Sequence, residues 1–281
     1  MDNMKYIDCY KNGVKRLKDC FVQEAELDAR LLLESVCKTD RTTLYAHPER
    51  EVTPEEQKLF EAFLARREKR EPLQYILGEQ EFMGLNFKTR PDTLIPRQDT
   101  ETLVEDAMKD LHDGMEILDV CCGTGCILLS LLHFSNDTRG VGVDLNEHAV
   151  ELSRENAENL GLSKQCEFLV SDMFENVTGK YDRIVSNPPY IPRDIIETLE
   201  PEVRDYEPKK ALDGGVDGLD FYKILASEAK DYLKRGGIIY MEIGYDQGPA
   251  VKELFEQNGY KNVEILKDLA GLDRVIRAHF Y

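Results

Sequence analysis

An α/β protein built on a mostly parallel, doubly wound sheet is what the sequence predicts, on three observations. From Glu116 onward, short apolar runs alternate with segments of helical period. A glycine-bearing turn, Asp119-Val120-Cys121-Cys122-Gly123-Thr124-Gly125, follows the first of those runs. The fourth run, residues 181–186, ends in Asn187-Pro188-Pro189-Tyr190, where two prolines forbid both further strand pairing and an immediate helix.

In chain order, residues 1 to about 70 are predicted helical. Segments 8–21 and 24–37 carry apolar residues three and four apart, such as Val14, Leu17 and Phe21, or Leu27 and Leu31. Thr53-Pro54-Glu55-Glu56 is a capping box with proline at the first helical position. The helix it starts ends in Arg66-Arg67-Glu68-Lys69-Arg70, cations that complement a helix C-terminus better than they argue for a partner-docking patch. Pro72 stops it. Residues 79–84 and 85–89 predict a β-hairpin turning near Met83-Gly84, the bridge to a second domain. A proline-punctuated loop, 93–101, offers Asp99 or Thr100 as the cap of a helix running to about Leu111.

The expected strands are then 116–121, 139–144, 166–171, 181–186 and 237–243, with helices over 125–134, 147–160 and 219–233. A helix over 246–258 precedes two last strands, 261–267 and 274–281. The gap between those two is too short for a crossover helix, so they are expected to pair antiparallel.

Bulk numbers bound the function. A chain of 281 residues accommodates one large domain and a smaller one. With 42% hydrophobic and 32% charged residues it reads as a soluble globular protein, and no window has the apolar length of a membrane span. Met1-Asp2-Asn3-Met4-Lys5 lacks a leader pattern, so the cytoplasm is the expected location. Seven cysteines without a Cys-x-x-Cys pair, and histidines away from ligand spacing, argue for free thiols and no metal site. Net charge is −18, and residues 91–281 hold 20 Lys/Arg against 37 Asp/Glu. Such a surface repels polyphosphate, so no direct nucleic-acid substrate is expected.

The chemistry is expected at the carboxyl ends of the strands, where open α/β sheets bind ligands. The Cys121-Cys122-Gly123-Thr124-Gly125 turn lets a ligand approach backbone and helix N-terminus closely. Leu128 takes the place of the third glycine of the dinucleotide fingerprint, and no histidine suits a hydride site, which disfavours a nicotinamide dehydrogenase. Asp144 ends the second strand, placed for ribose hydroxyls. Asp172 and Met173, with Phe174, follow the third, an acid and an apolar wall for an adenine. If the strand order is 3-2-1-4, with strands about 4.8 Å apart, S-adenosylmethionine fits the span from Asp172 past Asp144 to Asn187. Asp119 is counted with the cofactor turn, although fixing that turn is its more natural role.

Over nearly its whole length the sequence resembles the HemK/PrmC family, the release-factor glutamine N5-methyltransferases. The resemblance is carried by Pro72-Leu73-Gln74-Tyr75-Ile76-Leu77-Gly78-Glu79, Ile95-Pro96-Arg97, the glycine turn and Asn187-Pro188-Pro189-Tyr190. It continues in Glu207-Pro208, Ala211-Leu212, Glu242-Ile243-Gly244 and Asp273-Arg274-Val275. The outer blocks are the specific ones, since the tetrapeptide recurs in nucleic-acid amino-methyltransferases. The resemblance implies a helical substrate-recognition domain over 1–75, a β-hairpin linker over 76–97 and a seven-stranded, Rossmann-like methyltransferase domain over 98–281. It implies S-adenosylmethionine as cofactor and, as partner, peptide-chain release factors methylated on the glutamine of a Gly-Gly-Gln loop. Cys121-Cys122 departs from loops that often carry glycine or threonine there.

An amide nitrogen shares its lone pair with the carbonyl, so its methylation must weaken a conjugation on the scale of the roughly 18–20 kcal/mol peptide rotation barrier. The Asn187 side-chain oxygen and the Pro188 carbonyl are expected to accept the two amide hydrogens, with Pro189 and Tyr190 packing on the amide. No histidine lies near this motif in the sequence, so transfer without a dedicated base is expected. Arg97 and Glu101 either border the cofactor or acceptor loop or tether linker to domain. Glu242 reads as structural. The alternatives are an rRNA or DNA amino-methyltransferase, a ribosomal-protein glutamine methyltransferase, and a binding module that keeps cofactor without turnover.

Overall fold

The computed structural model describes residues 4–281; Met1–Asn3, the start of the expected helical domain and of the stretch without a leader pattern, lie outside the described residues. The chain divides into two compact units. One takes in the chain up to Gly78 together with Glu200–Tyr206, the other Glu79–Leu199 and Glu207–Tyr281.

The first unit is helical: α1 (Tyr6–Asp19), α2 (Ala25–Cys37), α3 (Arg41–Ala46), α4 (Pro54–Arg67) and α5 (Leu73–Leu77), joined by α9 (Pro201–Tyr206). Tyr6, Leu17, Leu32, Leu33, Phe60 and Leu64 form its core. Gly13 lets α1 approach closely, because a Cβ there would meet the Phe60 ring at 3.1 Å and Ala29 at 3.3 Å. Both halves of the Thr53/Glu56 capping box are made.

The arginines at the end of α4 are bound by carboxylates rather than left to the helix dipole. Arg67 donates to Asp28 (2.7 Å) and Glu202 (2.9 Å), Arg70 to both oxygens of Glu202 (2.6 Å each), and Arg66 to Glu71. Within this unit Glu202 therefore fixes α9, a short helix with no buried residue of its own.

In the second unit a hairpin, β1 (Glu79–Phe82) and β2 (Leu85–Lys88), turns through Met83 and Gly84, both left-handed, as a tight turn requires. Helix α6 (Glu101–Lys109) follows. The sheet contains β3 (Glu116–Val120), β4 (Arg139–Asp144), β5 (Cys166–Val170), β6 (Tyr181–Ser186), β7 (Leu233–Glu242), β8 (Lys261–Lys267) and β9 (Asp273–His279), in the order β5-β4-β3-β6-β7-β9-β8. The first five are parallel, and β9 runs antiparallel to both neighbours. Helices α7 (Cys126–His133), α8 (Glu147–Asn159), α10 (Asp220–Glu228) and α11 (Gly248–Gln257) complete it.

Two apolar layers cover the two faces. Leu118, Ile184, Ile239 and Met241 enter one, and their chain neighbours Ile117, Val185, Ile238 and Tyr240 the other, as strand alternation dictates. The helix expected over 219–233 is α-helical to Glu228 and tightens to a 3₁₀ turn over Ala229–Asp231, after which the chain pairs with Tyr181 from Leu233. The space a third fingerprint glycine would supply comes instead from the neighbouring strand. A Cβ on Gly140 would lie 2.4 Å from Leu128 Cδ1.

Candidate active site

The carboxyl ends of β3, β4, β5 and β6 open onto one cavity of about 590 Å³, within the roughly 300–1,000 Å³ range of small-molecule sites. The turn after β3 forms its floor, holding Cys121, Gly123 and Gly125 at positive φ. Left-handed backbone at Cys121 costs about 1–2 kcal/mol relative to glycine, so the rest of the site must hold it in place. Asp144 does part of this, its two oxygens accepting the Gly123 and Asn146 N–H groups at 2.9 Å each. Ser153 donates to the Gly123 carbonyl, and Asn156 to the Thr124 carbonyl.

Burial raises the Asp144 carboxyl above its usual range while the two N–H donors oppose it. The Cys121 and Cys122 thiols are pushed well up, first by burial and then by nearby Asp144, which makes them neutral wall rather than nucleophiles. The Cys121 sulfur lies 3.9 Å from that of Met173.

At the β6 end, the Ser186 hydroxyl donates to the Val120 carbonyl (2.6 Å) and locks the strand end to β3. Asn187 Nδ2 donates to Thr100 Oγ1 at 3.3 Å. Thr100 donates in turn to Glu242 Oε2 at 2.5 Å, and the Tyr190 hydroxyl donates to Glu242 Oε1 at 3.1 Å. Glu242 is 1% exposed. Burial raises its carboxyl, against the pull of the two hydroxyls and of Arg274. The Tyr190 backbone is equally fixed: Gln247 Nε2 donates to its carbonyl at 2.9 Å, and Gly214 and Gly218 pack where any Cβ would strike it.

Of the residues expected at the site, Cys121, Cys122, Gly123, Thr124, Asp144, Asp172, Met173, Asn187, Pro189 and Arg97 line the cavity. Gly125, Pro188 and Tyr190 are not part of its wall, the Tyr190 ring being tied back by its hydroxyl. Asp119 is also outside it. Its side chain is wholly buried under the turn, with Oδ2 accepting the Leu128 N–H of α7 and Oδ1 unpartnered.

The pair left open in sequence separates. Arg97 borders the cavity and is paired with buried Glu207, whereas Glu101 accepts the Met83 N–H and fixes the hairpin turn. Thr100 corrects its expected role. It has helical dihedrals inside a 3₁₀ turn and makes no side-chain cap, because its hydroxyl is engaged by Glu242. Ile95, Lys209, Lys210 and Phe221 also line the cavity with no signal in their local sequence. Among the described residues no group of His, Cys, Asp and Glu is arranged to hold a metal ion, and no helix is long and apolar enough to cross a membrane.

Residues 8–78 match a family model described as the PrmC N-terminal domain, and residues 98–198 one described as the methyltransferase small domain. The release factor glutamine methyltransferase of Geobacter sulfurreducens is 41% identical over 256 residues, covering 91% of this chain and 89% of that protein. That of Clostridium botulinum is 39% identical over 279 residues, covering 98% and 99%. A methyltransferase from Pyrococcus furiosus shares the fold, with a TM-score of 0.53 at 18% identity over 70% of this chain and 89% of that one. With such identity along nearly its whole length, the chain belongs to the release factor glutamine methyltransferase family.

Proposed function

We propose that Asn187 Oδ1 and the Pro188 carbonyl accept the two hydrogens of a substrate carboxamide, and that the 590 Å³ cavity holds S-adenosylmethionine beside it. As a member of its family the protein is a protein-(glutamine-N5) methyltransferase acting on release factors; the proposal concerns which residues do the work. The carrying observation is the Asn187 hydrogen bond. With Nδ2 given to Thr100, the planar carboxamide presents Oδ1 on its other side, at the end of β6 and on the cavity wall.

The wall suits that cofactor. Gly123 has no atom within 4 Å of where a Cβ would stand, so a ligand can come close to the turn. Each Asp144 oxygen, holding one N–H, keeps a lone pair for a ribose hydroxyl. Cys121 and Met173 offer an apolar face and Asp172 an acceptor for the base. When bound, the cofactor supplies an electrophilic methyl group on a sulfonium. Asn187 and Pro188 orient the amide nitrogen, and as positive charge develops there their two acceptors stabilise it. Pro189 and Tyr190 confine the amide from the side. The proton leaves late, to water. The strongly acidic charge of the second unit favours a protein acceptor over polyphosphate, and such an acceptor places the enzyme in the cytoplasm.

Mass spectrometry of a purified release factor incubated with enzyme and labelled cofactor should find one methyl group on the glutamine of its Gly-Gly-Gln loop. Label entering rRNA, DNA or a ribosomal protein instead overturns the reading. Asn187→Ala should lower kcat by about 10²–10³-fold, the scale of losing one preorganised transition-state contact, with cofactor affinity nearly unchanged. Equal losses in both would sink the assignment.

A further inference from the structure

We propose that Thr100 and Glu242 are positioning residues for methyl transfer: together they decide which way round the Asn187 carboxamide lies and where the Tyr190 ring stands. The inference rests on the role given to Asn187 above and explains how that role is enforced. A carboxamide turned by half a revolution has nearly the same shape, so packing cannot choose between its oxygen and its NH2; hydrogen bonds must. The Thr100 hydroxyl has a single hydrogen, and Glu242 Oε2 receives it. Only lone pairs then face Asn187, so Nδ2 bonds at 3.3 Å and Oδ1 is driven to the opposite side. Reversing Asn187 would set oxygen against oxygen. The other Glu242 oxygen holds the Tyr190 hydroxyl, so one carboxylate orients both side chains of the tetrapeptide.

A structural role alone does not account for this arrangement. Thr100 caps no helix. Glu242 ends β7 at 1% exposure, where an apolar residue would serve the sheet without the cost of burying a carboxylate. Among the described groups, those facing it are the Thr100 and Tyr190 hydroxyls, Arg274 and Asp99, the Tyr222 hydroxyl on its backbone carbonyl and the Cys126 thiol, and Arg274 is itself shared between Asp268 and Asp99. The direction of the chain Asn187→Thr100→Glu242 therefore depends on Glu242 staying ionised. A protonated Glu242 can donate to Thr100, whose hydrogen then becomes free to face Asn187.

The test measures kcat, KM for the release factor, cofactor affinity and Tm for Thr100→Val, Thr100→Ser and Glu242→Gln. Thr100→Val keeps the shape and removes the hydroxyl. It should lower kcat by about 10- to 100-fold, the scale of misplacing a positioned group, with cofactor affinity close to wild type and a Tm lowered only as far as Glu242 Oε2 losing its donor requires. Thr100→Ser should restore most of the activity. Glu242→Gln should lose a similar factor and abolish the acid limb of the kcat–pH profile, and the double variant Thr100→Val/Glu242→Gln should be no worse than either single one. Wild-type kcat in Thr100→Val, or parallel losses of kcat and cofactor affinity, overturns the inference. If Asn187→Ala is inactive while Thr100→Val is not, this inference alone fails; if Asn187→Ala is active, the reading beneath it fails.

Discussion

The helical unit and the cavity of the α/β unit bury charge by different means. In the helical unit Asp28 and Arg67, 7% and 8% exposed at the side chain, meet each other, and Glu202 joins them with Arg70. At the cavity end of the α/β unit, buried Asp119 and Glu242 and half-buried Asp144 are each held by N–H or O–H donors instead of a guanidinium. A paired charge acts as a pin, costly to break. A carboxylate held by neutral donors is cheaper to protonate and can set the direction of the hydrogen bonds around it. The first arrangement suits a unit whose helices must be fastened to one another, the second a cavity where acceptors must be aimed.

The largest expected effect breaks the pin. Arg67→Met strands Asp28 without its partner and should cost about 3–5 kcal/mol, the usual penalty of an uncompensated buried charge. Urea unfolding of the whole protein measures it. Pairing the change with Asp28→Leu should recover most of the loss, because the stranded carboxylate is removed while Arg70 still holds Glu202. A single variant as stable as wild type would erase the contrast between the units.

Glu207 forms one of the α/β unit's own ion pairs, the one at the cavity, and sharpens the comparison. Its side chain is 1% exposed and its partner Arg97 37%. Burial raises the Glu207 carboxyl despite Arg97, as it raises Asp28 despite Arg67, but the exposed Arg97 is better screened by water than the buried Arg67, so this pair is looser than the one on α4. Arg97→Met should therefore cost less, about 1–3 kcal/mol as for a buried group left unsatisfied, and should also weaken activity because Arg97 lines the cavity. A loss as large as that of Arg67→Met would place both units in one class.

The same division governs what the sequence revealed. The alternation of strands and helices, the antiparallel final pair and the position of Asn187 at a strand end followed from local periodicity, a short gap and two prolines. The capping box at Thr53 is equally local, and its bonds span three residues. What stayed hidden is long-range. Thr100 and Glu242 are separated by 142 positions, Arg67 and Glu202 by 135. Nothing around Thr100 distinguishes a helix cap from a relay hydroxyl, and nothing around Arg67 distinguishes a dipole partner from a clamp. Those roles exist only once β6 and β7 lie side by side, or once α9 joins the helices.

Asp119 offers the smallest and most diagnostic effect. Burial raises its carboxyl well above the ordinary value, the Leu128 N–H opposes that, and the negative charge of Asp144 adds to it. Its folded pKa therefore lies above its unfolded pKa of about 3.9. Between those two values the folded state binds more protons, so stability falls as pH rises through the window, with a slope of at most about 1.4 kcal/mol per pH unit. Glu202 has the opposite sign: burial pushes it up, but Arg70 and Arg67 outweigh that and lower it. Its contribution is present above its unfolded pKa and is lost as pH falls through its folded one. Asp119→Asn should remove the first dependence and leave the second. The comparison must be made on slopes, since the unpartnered Oδ1 becomes an NH2 that needs an acceptor, an offset that pH does not change. Urea unfolding from pH 4 to pH 8 on both proteins should give a flatter curve for the variant. Parallel curves would mean that Asp119 is ionised in the fold, and that neutral donors hold a buried charge in this unit as firmly as arginine does in the other.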